Sequence, residues 1–88
     1  MIREIKVRPQ EPELDYKGRL SHAIRFLENN DQVKITVMFK GREIAHPEIG
    51  EKRLFKFVKD LEDYGKAELP PTREPRQMFL VFTPNTAG

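Results

Sequence analysis

The middle of this chain carries the pattern that most restricts its fold. Across residues 33–40, Val33, Ile35, Val37 and Phe39 fall on one side and Lys34, Thr36, Met38 and Lys40 on the other. A period of two marks a β-strand with one buried face. The alternation stops at Gly41, where a polar Gly-Arg-Glu turn follows. His46-Pro47-Glu48 then reads as a helix start, with proline where the missing N–H costs nothing and an acid in the first turn. A one-sided strand, a basic turn and a helix entry thus sit side by side, and everything else must pack around them.

The flanking segments fit that requirement. Residues 2–8 form a strand candidate with Ile5 and Val7 on one face and Glu4, Lys6 and Arg8 on the other, closed by Pro9 and Pro12. Residues 13–28 read as a helix, with Glu13 and Asp15 at its positive end and Tyr16, Leu20, Ala23, Ile24 and Leu27 on one stripe. Asn29-Asn30-Asp31 ends it. A second helix over 47–64 places Gly50, Leu54, Phe57, Val58, Leu61 and Tyr64 inward, with Gly65 suited to its C′ position. A short strand at 66–69, an irregular proline loop at 70–75 and an apolar strand at 77–82 complete the order, with 83–88 as a frayed tail.

The order β-α-β-α-β-β, with right-handed crossovers, puts both helices on the same sheet face. The last strand is apolar on both sides and belongs inside the sheet, whereas the short, half-charged third strand belongs at an edge. The expectation is an α+β two-layer sandwich: a four-stranded mixed sheet of order 1-2-4-3 with two helices on one face and the other face open. The 88 residues are enough for one domain with a modest core.

Composition removes several function classes. There is no cysteine, so neither disulfides nor thiolate metal sites are available, and two histidines are too few for a common zinc site. No apolar run approaches a membrane span and no secretory signal is present at the N-terminus. No Gly-rich phosphate loop, nucleophile elbow or HExxH occurs. His46, beside Glu43 and Glu48, is the one acid–base group in an attractive position, and without a partner nucleophile it reads as a turn or capping residue. The expectation is a soluble, cytoplasmic, monomeric binding domain with no catalytic residue, metal or cofactor.

Sixteen Lys and Arg against fourteen Asp and Glu leave a net charge of only +2, so placement rather than total must indicate a partner. Arg8 ends strand one, Lys40 and Arg42 flank the turn after strand two, and Arg76, beside Arg73, opens the last strand. Arg19 and Arg25 lie on helix one, near the small residues Gly18 and Ser21, and Lys52, Lys56 and Lys59 line the outer face of helix two. Arginines at loops and strand ends can grip phosphates bidentately. Strand two supplies no aromatic residue to the open sheet face, which disfavours base reading there and favours recognition of an RNA backbone.

Taken together, KITVMFKGREIAHPEIG, IREIKVRP, DYKGRLSHAIRFLE and RQMFLVFTP resemble, in order, the C-terminal domain of bacterial translation initiation factor three across residues 2–84. The resemblance implies the same β-α-β-α-β-β architecture and a non-enzymatic role. It implies binding to the small ribosomal subunit through 16S rRNA, hindrance of large-subunit joining, and support for start-codon and initiator-tRNA selection on the mRNA. It carries over Arg8, Arg19, Arg25, Lys56 and Arg76 as rRNA-binding positions, and the turn with Lys40 and Arg42 matches a basic turn of the family. Ser21 and Met38 stand where members of the family can carry arginine. The resemblance further implies an N-terminal domain and a lysine-rich linker, neither of which is present in these residues. The alternatives are a generic RNA-binding module and a small hydrolase centred on His46.

Overall fold

A computed structural model describes residues 1–85. The elements run β1 (Ile2–Val7), α1 (Glu13–Glu28), β2 (Gln32–Met38), a 3₁₀ turn (Gly41–Ala45), α2 (Pro47–Asp60), β3 (Gly65–Ala67), β4 (Thr72–Glu74) and β5 (Gln77–Pro84). The α+β class and the placement of helices against a mixed sheet are as expected. The sheet order is β1-β2-β5-β3, which matches 1-2-4-3 once β5 takes the position of the anticipated fourth strand.

The strand count is five rather than four. Thr72–Glu74, placed in the proline loop by its composition, pairs antiparallel with β5 through Thr72↔Phe79 and Glu74↔Gln77. Pro75 and Arg76 form the two-residue connection, and Pro70 and Pro71 lie outside the ladder, where a missing N–H breaks nothing. Strands β3 and β4 thus cover successive stretches of one edge of β5. The same pairing, Gly65↔Pro84 and Lys66↔Thr83, carries β5 past Phe82 to Pro84, so the start of the anticipated tail is strand. The remainder of that tail, 86–88, lies outside the described residues.

Strand β1 is parallel to β2 with Ile5 opposite Ile35, and β5 is antiparallel to β2 with Leu80 opposite Ile35. This register stacks Ile5, Val7, Val33, Ile35, Val37, Met78, Leu80 and Phe82 on one face, where they meet Tyr16, Ala23 and Leu27 of α1 and Leu54 and Phe57 of α2 in one core. At about 25 cal/mol per Å² of apolar surface, this burial is the main stabilising term.

Helix α2 ends at Asp60, four residues before the expected stop. Leu61 still accepts hydrogen bonds from the Tyr64 and Gly65 N–H groups, at 2.8 and 2.9 Å, so residues 61–64 turn back into β3 without helical geometry. Gly65 is therefore not a C′ residue. Its missing side chain is needed for space, because a Cβ there would lie 2.9 Å from the Thr83 carbonyl and 3.0 Å from Leu27 Cδ1.

Candidate nucleic-acid interface

The C-terminal ends of β1 and β2 and the start of β5 lie together, because Phe39 N–H donates to the Arg76 carbonyl at 2.8 Å directly beyond the β2–β5 ladder. Arg8, Lys40, Arg42 and Arg76 therefore meet at one end of the sheet. Glu43 ties two of them together: its Oε1 accepts from Arg8 Nη2 at 3.0 Å and from the Lys40 N–H at 2.8 Å. The carboxylate closes the 3₁₀ turn, which Gly41 enters with φ +48°, and binds it to β1. Arg73 crosses the same end, with its guanidinium 5.7 Å from the Phe39 ring centre and Nη2 donating to the Ile44 carbonyl at 3.3 Å. Among the described residues, Lys40, Arg42 and Arg76 form no ion pair within 4.0 Å, so their charges face solvent.

Arg19 joins this end from α1. It lies 3.6 Å from the nearly buried carboxylate of Glu11, which also accepts the Arg8 N–H at 3.0 Å. Together with Lys6, Arg8 and Lys40, Arg19 borders a cleft of about 260 Å³. Lys56 is placed differently. Its Nζ lies 2.9 Å from Glu13 Oε1 and 4.3 Å from the Tyr16 ring centre, so α2 and the start of α1 already hold it. The hydrogen bond from Lys56 holds the Glu13 carboxyl below its ordinary range. Arg25 stands apart, in the last turn of α1, about 9 Å along the helix from Arg19 at 1.5 Å per residue.

Two polar side chains, Arg53 and Tyr16, fasten the helices beneath this surface. Arg53 reaches from α2 to the Pro9 and Glu11 carbonyls at 3.3 and 3.2 Å, with its guanidinium 5.1 Å from the Tyr16 ring centre. Tyr16, 2% exposed, donates its hydroxyl to Asp60 Oδ2 at 2.5 Å. Burial, and then that hydrogen bond, push the Tyr16 phenol well above its usual range. A phenol whose pKa is raised by folding stabilises the native state below the unfolded-state pKa of about 10, and that contribution is lost as pH rises above it. The stability advantage of the wild type over Tyr16→Phe is accordingly expected to be constant between pH 7 and 9 and to shrink by pH 11. Urea unfolding of both proteins across this range checks it, and an advantage that grows with pH would refute it.

His46 precedes α2 with its ring Nδ1 3.2 Å from Glu48 Oε1, and both side chains are mainly exposed. Its imidazole makes no side-chain capping bond to the helix. Among the described residues, no group of three or more His, Cys, Asp and Glu is placed to hold a metal ion, and no helix is long and apolar enough to cross a membrane.

Residues 1–85 match the family model of the translation initiation factor IF-3 C-terminal domain. The chain belongs to that family. Curated IF-3 proteins are similar along nearly all of it: that of Parabacteroides distasonis is 46% identical over the full chain, which spans 42% of the relative. The IF-3 of Aromatoleum aromaticum is 45% identical over 94% of the chain and 48% of its own length, and that of Phocaeicola vulgatus 44% identical over 99% and 44%. The chain thus spans less than half the length of these IF-3 relatives. Of the seven cations put forward from the sequence, this IF-3-type fold brings Arg8, Lys40, Arg42 and Arg76 to one sheet end and sets Arg19 beside them. Lys56 and Arg25 lie elsewhere. Lys6, on the rim of the same cleft, went unselected because its place in an alternating strand marks it only as a solvated charge.

Proposed function

We propose that this chain is a translation initiation factor domain that binds the small ribosomal subunit through 16S rRNA. In doing so it obstructs premature joining of the large subunit and supports selection of the start codon and initiator tRNA on the mRNA. It works as a single monomeric unit in the cytoplasm, without catalysis or a cofactor. The observation that carries the proposal is the match of residues 1–85 to the IF-3 C-terminal domain family. The charge arrangement supports it: Lys40, Arg42 and Arg76 are solvent-facing at one sheet end, and Arg8 and Arg19 reach the same end held by acids. These five residues, with Arg25 and Lys56, neutralise rRNA phosphates, while the rigid two-layer body occupies space that the large subunit requires.

Sucrose-gradient sedimentation of 70S ribosomes with and without the domain tests this. The expected result is dissociation into subunits, with the domain migrating with 30S. If four phosphates are contacted, log affinity falls against log salt with a slope of about −3, and a slope near zero would remove the electrostatic mechanism. Binding to isolated RNA duplexes or single strands as tight as binding to 30S would instead support a generic RNA-binding module.

A further inference from the structure

At the opposite end of the sheet from the strand-end cations lies a second cleft, of about 400 Å³, lined by Arg3, Arg25, Phe26, Glu28, Asn29 and Asp31. Here the register of β1 directs Arg3 towards the helix layer, and its guanidinium lies 5.4 Å from the centre of the half-buried Phe26 ring. Asp31 fixes that guanidinium through an Nε–Oδ2 contact of 3.3 Å, and the Asn29 amide donates to the same oxygen at 3.4 Å. The Asn29 hydrogen bond, then that of Arg3, lowers the Asp31 pKa, so the carboxylate stays charged and the clamp persists at neutral pH. Arg3 remains 45% exposed despite the pairing. Arg25 borders the cleft and, among the described residues, forms no ion pair or side-chain hydrogen bond.

We infer that this cleft is a stacking site for one unpaired nucleobase of single-stranded RNA, with Arg3 as the platform and Arg25 on the adjoining phosphate. The inference deepens the RNA-binding reading above and rests on it. A guanidinium pinned by a carboxylate beside an aromatic ring and still 45% exposed is available to a second planar group, and unstacked RNA bases use arginine planes in this way. The Asn29 amide and the rim carboxylates supply donors and acceptors for a base edge. A cleft of this kind also accounts for the separation of Arg25 from the other cations: one end of the domain grips backbone, and the other holds a base.

The test uses an adenine RNA hexamer and the matching abasic hexamer, followed by NMR on the isotopically labelled chain at low salt. The adenine hexamer is expected to shift the Phe26 ring and Asn29 side-chain amide signals. It should bind at least about fivefold more tightly than the abasic strand, since a stacked base contributes on the order of 5- to 150-fold. Arg3→Lys, which keeps the charge and loses the plane, should reduce adenine-hexamer binding to the abasic level and leave abasic binding unchanged. Phe26→Leu, with its urea midpoint measured to establish folding, should act in the same direction. Equal binding of the two hexamers, absence of shifts at Phe26 and Asn29, or wild-type affinity in Arg3→Lys would each overturn the stacking site. Loss of these effects with 30S co-migration intact removes this site alone. Failure of 30S co-migration with the hexamer result intact removes the initiation role and leaves the site.

Discussion

Replacing Phe57 by alanine is expected to cost about 3–5 kcal/mol, the usual range for deleting a fully buried aromatic side chain. Phe57 is 0% exposed and packs its ring 4.7 Å from that of Tyr16, centre to centre and inclined by 54°. Tyr16 in turn is tied to Asp60 on the same helix as Phe57. Removing the ring therefore opens a cavity at the joint between the two helices, and it also frees the side chain whose hydroxyl bridges them. For a chain of this size, total stability is roughly 4–13 kcal/mol at 0.05–0.15 kcal/mol per residue, so the variant sits close to unfolding. With a urea slope near 2 kcal/mol per M, the midpoint should fall by about 2 M at unchanged slope. Phe55, two residues earlier and 43% exposed, is the control. Its alanine variant should lose under about 1 kcal/mol. Similar losses at both positions would show that the joint is not where stability is concentrated.

The second large effect is on binding. A triple variant, Lys40→Ala, Arg42→Ala and Arg76→Ala, is expected to bind 30S subunits at least tenfold more weakly while melting within a few degrees of the wild type. None of the three forms an ion pair among the described residues, and exposed charges of this kind contribute little to folding. If each contacts one phosphate, the salt slope should become shallower by about 2–3, at 0.7–0.9 per contact. Arg8→Ala should behave differently. It removes a cation from the same end and also leaves Glu43 without its partner at 3.0 Å, so affinity and melting temperature should fall together. Equilibrium binding across a salt series, paired with thermal melts, separates the two behaviours. An unchanged salt slope in the triple variant would return these residues to the role of ordinary solvated charges.

The reach of the sequence follows from the range of the forces involved. Period-two alternation in β2 and the apolar stripes of α1 and α2 are local signals, and the elements they marked are present with Val33, Ile35, Val37, Tyr16, Leu54 and Phe57 buried. Strand β4 gave no such signal. All three of its residues are exposed, and the ladder it joins exists only once β5 is in place. Gly65 was misassigned because its closest approach is to Thr83, a neighbour visible only in three dimensions. At the basic surface the arginines were legible but the acids that steer them were not. Arg8 and Glu43 are 35 residues apart, and Arg53 meets the Glu11 carbonyl across 42. Arg53 drew no reading from the sequence at all, because polarity conceals a side chain that works by reaching inward.

The place of β5 in the sheet has a consequence for how the polypeptide emerges during its own synthesis. Among the described residues, the strand furthest along the chain is the one in the middle, between β2 and β3. Until it is released, β1, α1, β2 and α2 can associate only as an incomplete half, with the Val33, Ile35 and Val37 row bordered on one side by nothing. Losses from the two termini are therefore unequal. Trimming β1 strips an edge, whereas stopping the chain before Leu80 removes the seam that joins the two halves. Such nascent or shortened chains would expose an unpaired, apolar strand edge, the form most open to self-association and to capture by chaperones.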